Sequence, residues 1–250
     1  MNNQDPIERE MQRRTRRSLL IGGIAGLAGL SGWRWIATRP QEDGLAWPLR
    51  RVLGFNEKIA RQHFSPNRGA TEFPLNQAVQ NVRLNADIGM PDEDEIDAKN
   101  WPLLVNGAAG GKPEIETSLD FVRQLPKVEF VTELKCVEGW SNKVHWGGAR
   151  FSDFARHFPP AAGMDYVGME TPSGDYYVGL DMASAMHPQT LLCYEINGKP
   201  LEYHHGAPLR LAITSKYGIK NIKSVGRIVY AAKRPHDYWE ERGYDWYAGV

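Results

Sequence analysis

From Trp101 onward the apolar and β-branched residues fall in short runs divided by turn-forming residues, at 102–106, 128–135, 176–180, 190–196, 209–214 and 225–231. Runs of this length suit strands and are too short for most helices. Between them, 118–124 and 151–156 have helical character. Ser118 and either Ser152 or Asp153 are placed to accept hydrogen bonds from the free amides of a helix start. No internal repeat interrupts this order, so the pattern predicts one strand-rich, mixed α+β domain over 101–250.

The preceding residues follow other rules. Arg13, Arg14, Arg16 and Arg17 stand before Ser18-Leu19-Leu20-Ile21 and a Gly/Ala/Leu-rich stretch without charge through Trp33. A basic segment followed by an apolar one is the pattern of an export signal or anchor. The run Thr15-Arg16-Arg17-Ser18-Leu19-Leu20 resembles a twin-arginine signal, whose translocase moves folded proteins. No A-x-A cleavage site follows, which favours an uncleaved anchor over residues 18–36 with a cytoplasmic amino terminus. Residues 1–36 are therefore expected to be a signal or anchor helix. Residues 37–100 are expected to be a linker and wrapping segment, with a short helix at 56–63 and a solvated acidic loop at 92–95.

Thirty basic residues balance thirty acidic ones, so no global field draws the chain to nucleic acid. Cys136 and Cys193 are the only cysteines. They are too few for a zinc ribbon, and form at most one internal bridge. Cys136 ends the 128–135 run, where strand ends carry functional loops. A thiolate there is a soft metal ligand or a nucleophile, and Lys135 beside it favours the deprotonated form. Downstream, His205-Gly206-Ala207-Pro208-Leu209-Arg210 is followed by Lys216, Lys220 and Lys223. Glycine frees backbone amides while Arg and Lys supply charge, so this stretch is either an anion cradle or a solvated basic face. The adjacent His204 and His205 lack the companion motifs of a zinc site.

Read in order, Cys136-Val137-Glu138-Gly139-Trp140-Ser141, Leu180-Asp181, Ala185-Met186-His187-Pro188, Thr190-Leu191-Leu192, the 205–210 segment, Lys216-Tyr217-Gly218 and Ile222-Lys223-Ser224 resemble the molybdopterin-binding oxidoreductases of the sulfite oxidase family. They are most similar to its bacterial periplasmic branch, which reduces methionine sulfoxide. The resemblance spans about residues 101–239. It implies the family's strand-rich α+β fold and one molybdenum-molybdopterin, with Cys136 as the protein ligand to the metal. It further implies cofactor contacts from Thr171, His205, Arg210, Asn221, Ile222 and Lys223, with His205 standing where the branch has asparagine. Glu138 and Trp140 would orient Cys136, and Tyr177 would lie on the substrate side. An amino-terminal, asparagine- and aromatic-rich motif through which that branch also touches the cofactor has only loose echoes here, at 63–67 and 71–73, so the resemblance assigns no residue to those contacts. The segment between Thr171 and His205 is shorter than in that branch.

The expected function is oxygen-atom transfer, reducing sulfoxides with electrons from a membrane b-type haem cytochrome, after twin-arginine export to the periplasm or the outer membrane face. Two alternatives stand beside it. One is oxidation of sulfite or another small molecule on the same fold. The other is a cofactor-free anchored binding module with a Cys136–Cys193 bridge.

Overall fold

A computed structural model describes residues 6–250, which divide into two compact units, one ending at Val52 and one running from Leu53 to Val250. In the first unit, α1 (Pro6–Ala37) is followed by a hairpin of β1 (Gln41–Glu42) and β2 (Leu45–Ala46). Within α1, residues Glu8–Ala37 form a segment long and apolar enough to cross a membrane, near the N-terminus as a signal sequence also is. Leu19, Leu20, Ile24, Leu27, Leu30 and Trp33 are all exposed on it. A solvated helix seldom leaves so much large apolar surface uncovered.

The helix α2 (Trp47–His63) starts nine residues before the expected 56–63 helix. Pro48 lies in its first turn, where proline costs little because that amide has no intrahelical acceptor.

The second unit is built on two five-stranded sheets. One has the order β4 (Glu114–Ser118), β3 (Pro102–Asn106), β12 (Arg227–Ala231), β7 (Tyr166–Glu170) and β8 (Tyr177–Asp181). All its pairings are antiparallel except β3 with β12. The other runs β10 (Lys199–Pro200), β9 (Thr190–Ile196), β6 (Ser141–Arg150) and β5 (Lys127–Lys135), with β11 (Arg210–Ile213) also pairing with β9. Short helices α3 (Leu119–Gln124), α4 (Phe151–His157) and α5 (Met182–Ala185) connect them. Ser118 caps α3, its hydroxyl accepting from the Phe121 amide at 3.3 Å, a contact of about 1 kcal/mol. For α4 the expected cap fails: Arg150 holds that position without a side-chain bond, and Asp153 pairs with Arg156 instead.

The apolar run on β9 has no polar alternation because both faces are covered. Leu192 and Tyr194 point into the main core with Leu103, Val105, Phe151 and Val167, whereas Leu191 and Cys193 pack against Val144, Trp146 and Ala212 in a second cluster. Successive strand residues face opposite sides, so a doubly covered strand must be apolar throughout. Val79 and Val82 close the second cluster from the 64–101 segment. That segment wraps the sheet, and its Phe73 and Val79 amides donate to carbonyls of β5 and β6.

Candidate functional site

Cys136 lies one residue beyond β5. Its amide donates to the Trp140 carbonyl at 2.8 Å, and the Gly139 amide donates back to the Cys136 carbonyl at 3.1 Å. This tight turn presents the thiol at a 140 Å³ cavity that also contacts Glu138, Tyr176, Asn221, Lys223 and Trp239. Trp239 comes from the 237–242 turn, whose Trp239 and Glu240 amides both donate to Asp237. Glu138 accepts the Trp140 indole N–H at 2.9 Å, which fixes the carboxylate beside the turn that carries the thiol.

Tyr176 spans the cavity wall. Its hydroxyl donates to the Ile219 carbonyl at 2.7 Å and accepts the Trp239 indole N–H at 3.0 Å. Burial, reinforced by the negative charge of Asp237, pushes this phenol well above its ordinary range, so it stays neutral. Tyr177, the expected substrate-side residue, is directed elsewhere: its hydroxyl bonds Glu241, and it does not line the cavity. The one-residue offset follows from strand alternation.

The 205–223 segment is not a solvated face. Lys216, Lys220 and Lys223 are all buried, and each has a carboxylate supplied from a distant part of the chain. Lys216 lies 3.5 Å from Asp181, Lys220 bonds Asp237, and Lys223 reaches Asp87 at 2.5 Å and the Asn85 carbonyl at 3.0 Å. Of the three lysines, only Lys223 lines the Cys136 cavity. Burial depresses the Lys223 ammonium, and the bond to Asp87 partly offsets this.

Arg210 is buried and its guanidinium donates only to carbonyls: His205 at 2.9 Å, Asn221 at 3.1 Å and Leu211 at 3.4 Å. No carboxylate forms an ion pair with it among the described residues, and burial lowers its affinity for the proton. A guanidinium has five N–H donors, so donors remain for an anion. The Asn221 side chain is used as a brace, accepting the Ile213 amide at 2.8 Å and donating to the Tyr217 carbonyl at 3.2 Å. Gly206, at φ 95°, lets this loop close on Lys223. A Cβ there would fall 2.7 Å from the Lys223 Cβ.

Thr171 bonds the backbone of Tyr176 at 3.3 Å through both its donor and its acceptor, outside the cavity wall. Ile222 has its side chain in the core. The His205 carbonyl anchors Arg210, while its ring is half-buried and held below the usual histidine pKa by burial and by Arg210. The 63–67 and 71–73 segments line a different cavity. It is 85–88 that reaches Cys136, through Asn85, Ala86 and Ile88. No periodicity marks that stretch as a site.

Both cysteines are free, which removes the bridge. Cys193 is sealed in β9 with its thiol pushed up to about 11 by burial. Among the described residues no group of three or more His, Cys, Asp or Glu side chains is placed to hold a metal ion. A metal at Cys136 therefore needs ligands beyond the protein's own.

The sequence profile of the oxidoreductase molybdopterin-binding domain matches residues 89–239. The chain belongs to that family. It is 32% identical over 233 residues to a provisionally named protein-methionine-sulfoxide reductase subunit YedZ1 of Azospira oryzae, covering 93% of this chain and 85% of that one. It is 26% identical over 263 residues to the protein-methionine-sulfoxide reductase catalytic subunit MsrP of Pseudomonas syringae pv. tomato, over 94% and 78% of the two chains. The MsrP of Xanthomonas campestris pv. campestris is 33% identical over 155 residues, 56% of this chain and 48% of its own. Among solved structures, the sulfane dehydrogenase SoxCD of Paracoccus pantotrophus superposes with a TM-score of 0.51 at 16% identity, over 56% of this chain and 40% of that one. That last likeness is one of fold.

This member of the family is thus a molybdopterin-dependent oxidoreductase enzyme with a strand-rich, sulfite oxidase-type fold. Its residues fit the cofactor. A free, partly exposed thiol could serve as a sulfur ligand, and a buried guanidinium without a carboxylate among the described residues could serve as counter-charge to a pterin phosphate.

Proposed function

We propose that the enzyme reduces a neutral S-oxide, of the methionine sulfoxide kind, at the Cys136 cavity. Cys136 would ligate the molybdenum, Arg210 and the His205–Arg210 loop would hold the phosphate end of the pterin, and Lys223 and the 221–223 backbone would hold its middle. The bound group supplies the two-electron oxygen-atom transfer. The S=O bond breaks, the sulfur is reduced to a thioether, and two electrons and two protons leave the oxygen as water. The chain's own residues do the rest. The Glu138–Trp140 bond keeps the thiol's turn in place. Ile88, Tyr176, Ile219 and Trp239 build an uncharged wall that excludes water around a thioether carbon chain.

The observation that carries this reading is the composition of that wall: among the described residues Glu138 and Lys223 are its only charged members, and no arginine lines it. A small dianion such as sulfite needs several fixed cations to leave water, whereas a neutral sulfoxide does not. The names of the YedZ1 and MsrP relatives support the same substrate class.

Electrons are proposed to arrive from a membrane b-type haem cytochrome. The site is proposed to lie in the periplasm or at the outer membrane face, reached by twin-arginine export with residues 18–36 as signal or anchor. The apolar Glu8–Ala37 segment supports this location. Steady-state assay of the loaded enzyme decides the chemistry: methionine sulfoxide should be turned over with reduced viologen. Turnover of sulfite with an electron acceptor, and none of sulfoxides, would reverse it.

A further inference from the structure

Two larger cavities lie beyond the Cys136 cavity, and no proposed cofactor contact lines either. One, of 280 Å³, shares Val137, Ile219 and Tyr244 with the Cys136 cavity. The other, of 660 Å³, shares Asn56, Ala60 and Gly249 with the 280 Å³ cavity. Through these shared walls the three adjoin in series, a trough from the thiol to the 56–73 segment. A free amino-acid sulfoxide fills only its inner end, because the outer cavity alone has the volume of a drug-sized ligand site.

The walls suit an extended chain. Ile59, Phe64, Phe73 and Tyr247 offer apolar contact. The charges are uneven in their availability. Of the side-chain carboxylates, Asp245 already accepts the Tyr247 and Ala248 amides and Glu138 accepts the Trp140 indole, which leaves Glu133. Of the cations, the Arg68 guanidinium has a single hydrogen bond among the described residues, to the His63 carbonyl at 3.0 Å, and Lys135 has no ion-pair partner among them. Alternation along β5 turns Lys135 into this trough while Cys136 faces the inner cavity.

We propose that the trough is an exosite for an extended polypeptide that carries an acidic side chain to Arg68 and Lys135 while an oxidised residue of the same peptide enters the Cys136 cavity. Only the identity of the entering residue rests on the sulfoxide reading. Recognition of the flanking chain is a separate property of the 56–73 face.

The test uses cofactor-loaded enzyme and two fluorescein-labelled ten-residue peptides with a central methionine sulfoxide, one flanked by glutamates and one by lysines. Fluorescence anisotropy should show the acidic peptide binding about fivefold more tightly, as one or two exposed charge pairs allow, with the preference fading as salt is raised. Arg68→Glu should abolish or invert that preference, and Thr71→Trp, which fills the outer cavity, should weaken both peptides. Both variants should leave the KM for free methionine sulfoxide unchanged. Equal affinity for the two peptides, or affinities indifferent to both variants, would overturn the proposal. The unoxidised acidic peptide reads the trough without the reaction. If it binds in an Arg68-dependent way to an enzyme that reduces no sulfoxide, the exosite stands and the sulfoxide reading falls.

Discussion

Replacing Lys220 with Met probes the device that holds the cavity wall in place. The Lys220 ammonium is fully buried, bonding Asp237 and donating to the Gly179 carbonyl at 3.0 Å. Asp237 in turn accepts the Gly179, Trp239 and Glu240 amides, each at 3.1 Å. The pair thus joins the 218–220 turn to the turn that carries Trp239. Removing one partner of a buried ion pair costs about 3–5 kcal/mol, because the other charge is left in a poor solvent. In Lys220→Met the three amides still stabilise Asp237, which places the loss near 3 kcal/mol. Asp237→Asn leaves a buried ammonium and puts an amide nitrogen or oxygen among those donors, so its loss should reach the upper end. At about 2–4 °C per kcal/mol for a unit of this size, Lys220→Met should lower the Tm by about 6–12 °C in a calorimetric scan. The double variant Lys220→Met/Asp237→Asn should be more stable than the sum of the single losses predicts, since it buries no net charge. A loss under about 1 kcal/mol, or strict additivity, would refute this account of the pair.

Gly206→Ala should lower both the Tm and the molybdenum content of purified enzyme, because the added Cβ meets Lys223 and the residue must keep φ 95°; unchanged metal content would show that this loop does not shape the site. In the folded protein iodoacetamide should label Cys136 before cofactor loading and spare Cys193, whose thiol stays protonated below about pH 11 and is sealed from solvent; tryptic mass mapping reads the result, and labelling of Cys193 would contradict it. Burial lowers Lys216 to about 7, partly offset by Asp181. The unfolded chain therefore binds more protons than the folded one between pH 7 and the ordinary lysine range, and folding stability should rise with pH across that window. Urea titrations at several pH values should show this slope weakened in Lys216→Met, and an identical slope in wild type and variant would refute it.

Much of the second unit was legible because burial writes itself into strands. β3 and β9 fall at 102–106 and 190–196 as expected, and β5, β8, β11 and β12 differ from the expected runs only at their ends. β6 escaped notice although it is central to its sheet. Its sequence, SNKVHWGGAR, mixes charge with a glycine pair, and the reason lies in packing: a Cβ on Gly148 would sit 2.3 Å from the Leu192 carbonyl oxygen. β4 was missed for the opposite reason, being a polar edge strand, EIETS. The Cys136 turn and the 205–210 loop could be found because their residues carry the chemistry. The burial of Lys216, Lys220 and Lys223 could not, since Asp181, Asp237 and Asp87 approach them only in the fold. Asn85 and Ile88 likewise reach the cavity by chain path alone, and Tyr176 in place of Tyr177 is a difference of strand register.

The central claim is that Cys136 ligates the molybdenum. Molybdenum X-ray absorption on enzyme from a cofactor-competent host, wild type against Cys136→Ser, tests it most directly. The account predicts that wild type retains molybdenum and that the variant's metal loses a sulfur neighbour together with all turnover. Folded wild-type protein without molybdenum, or a sulfur shell unchanged by the substitution, would contradict it.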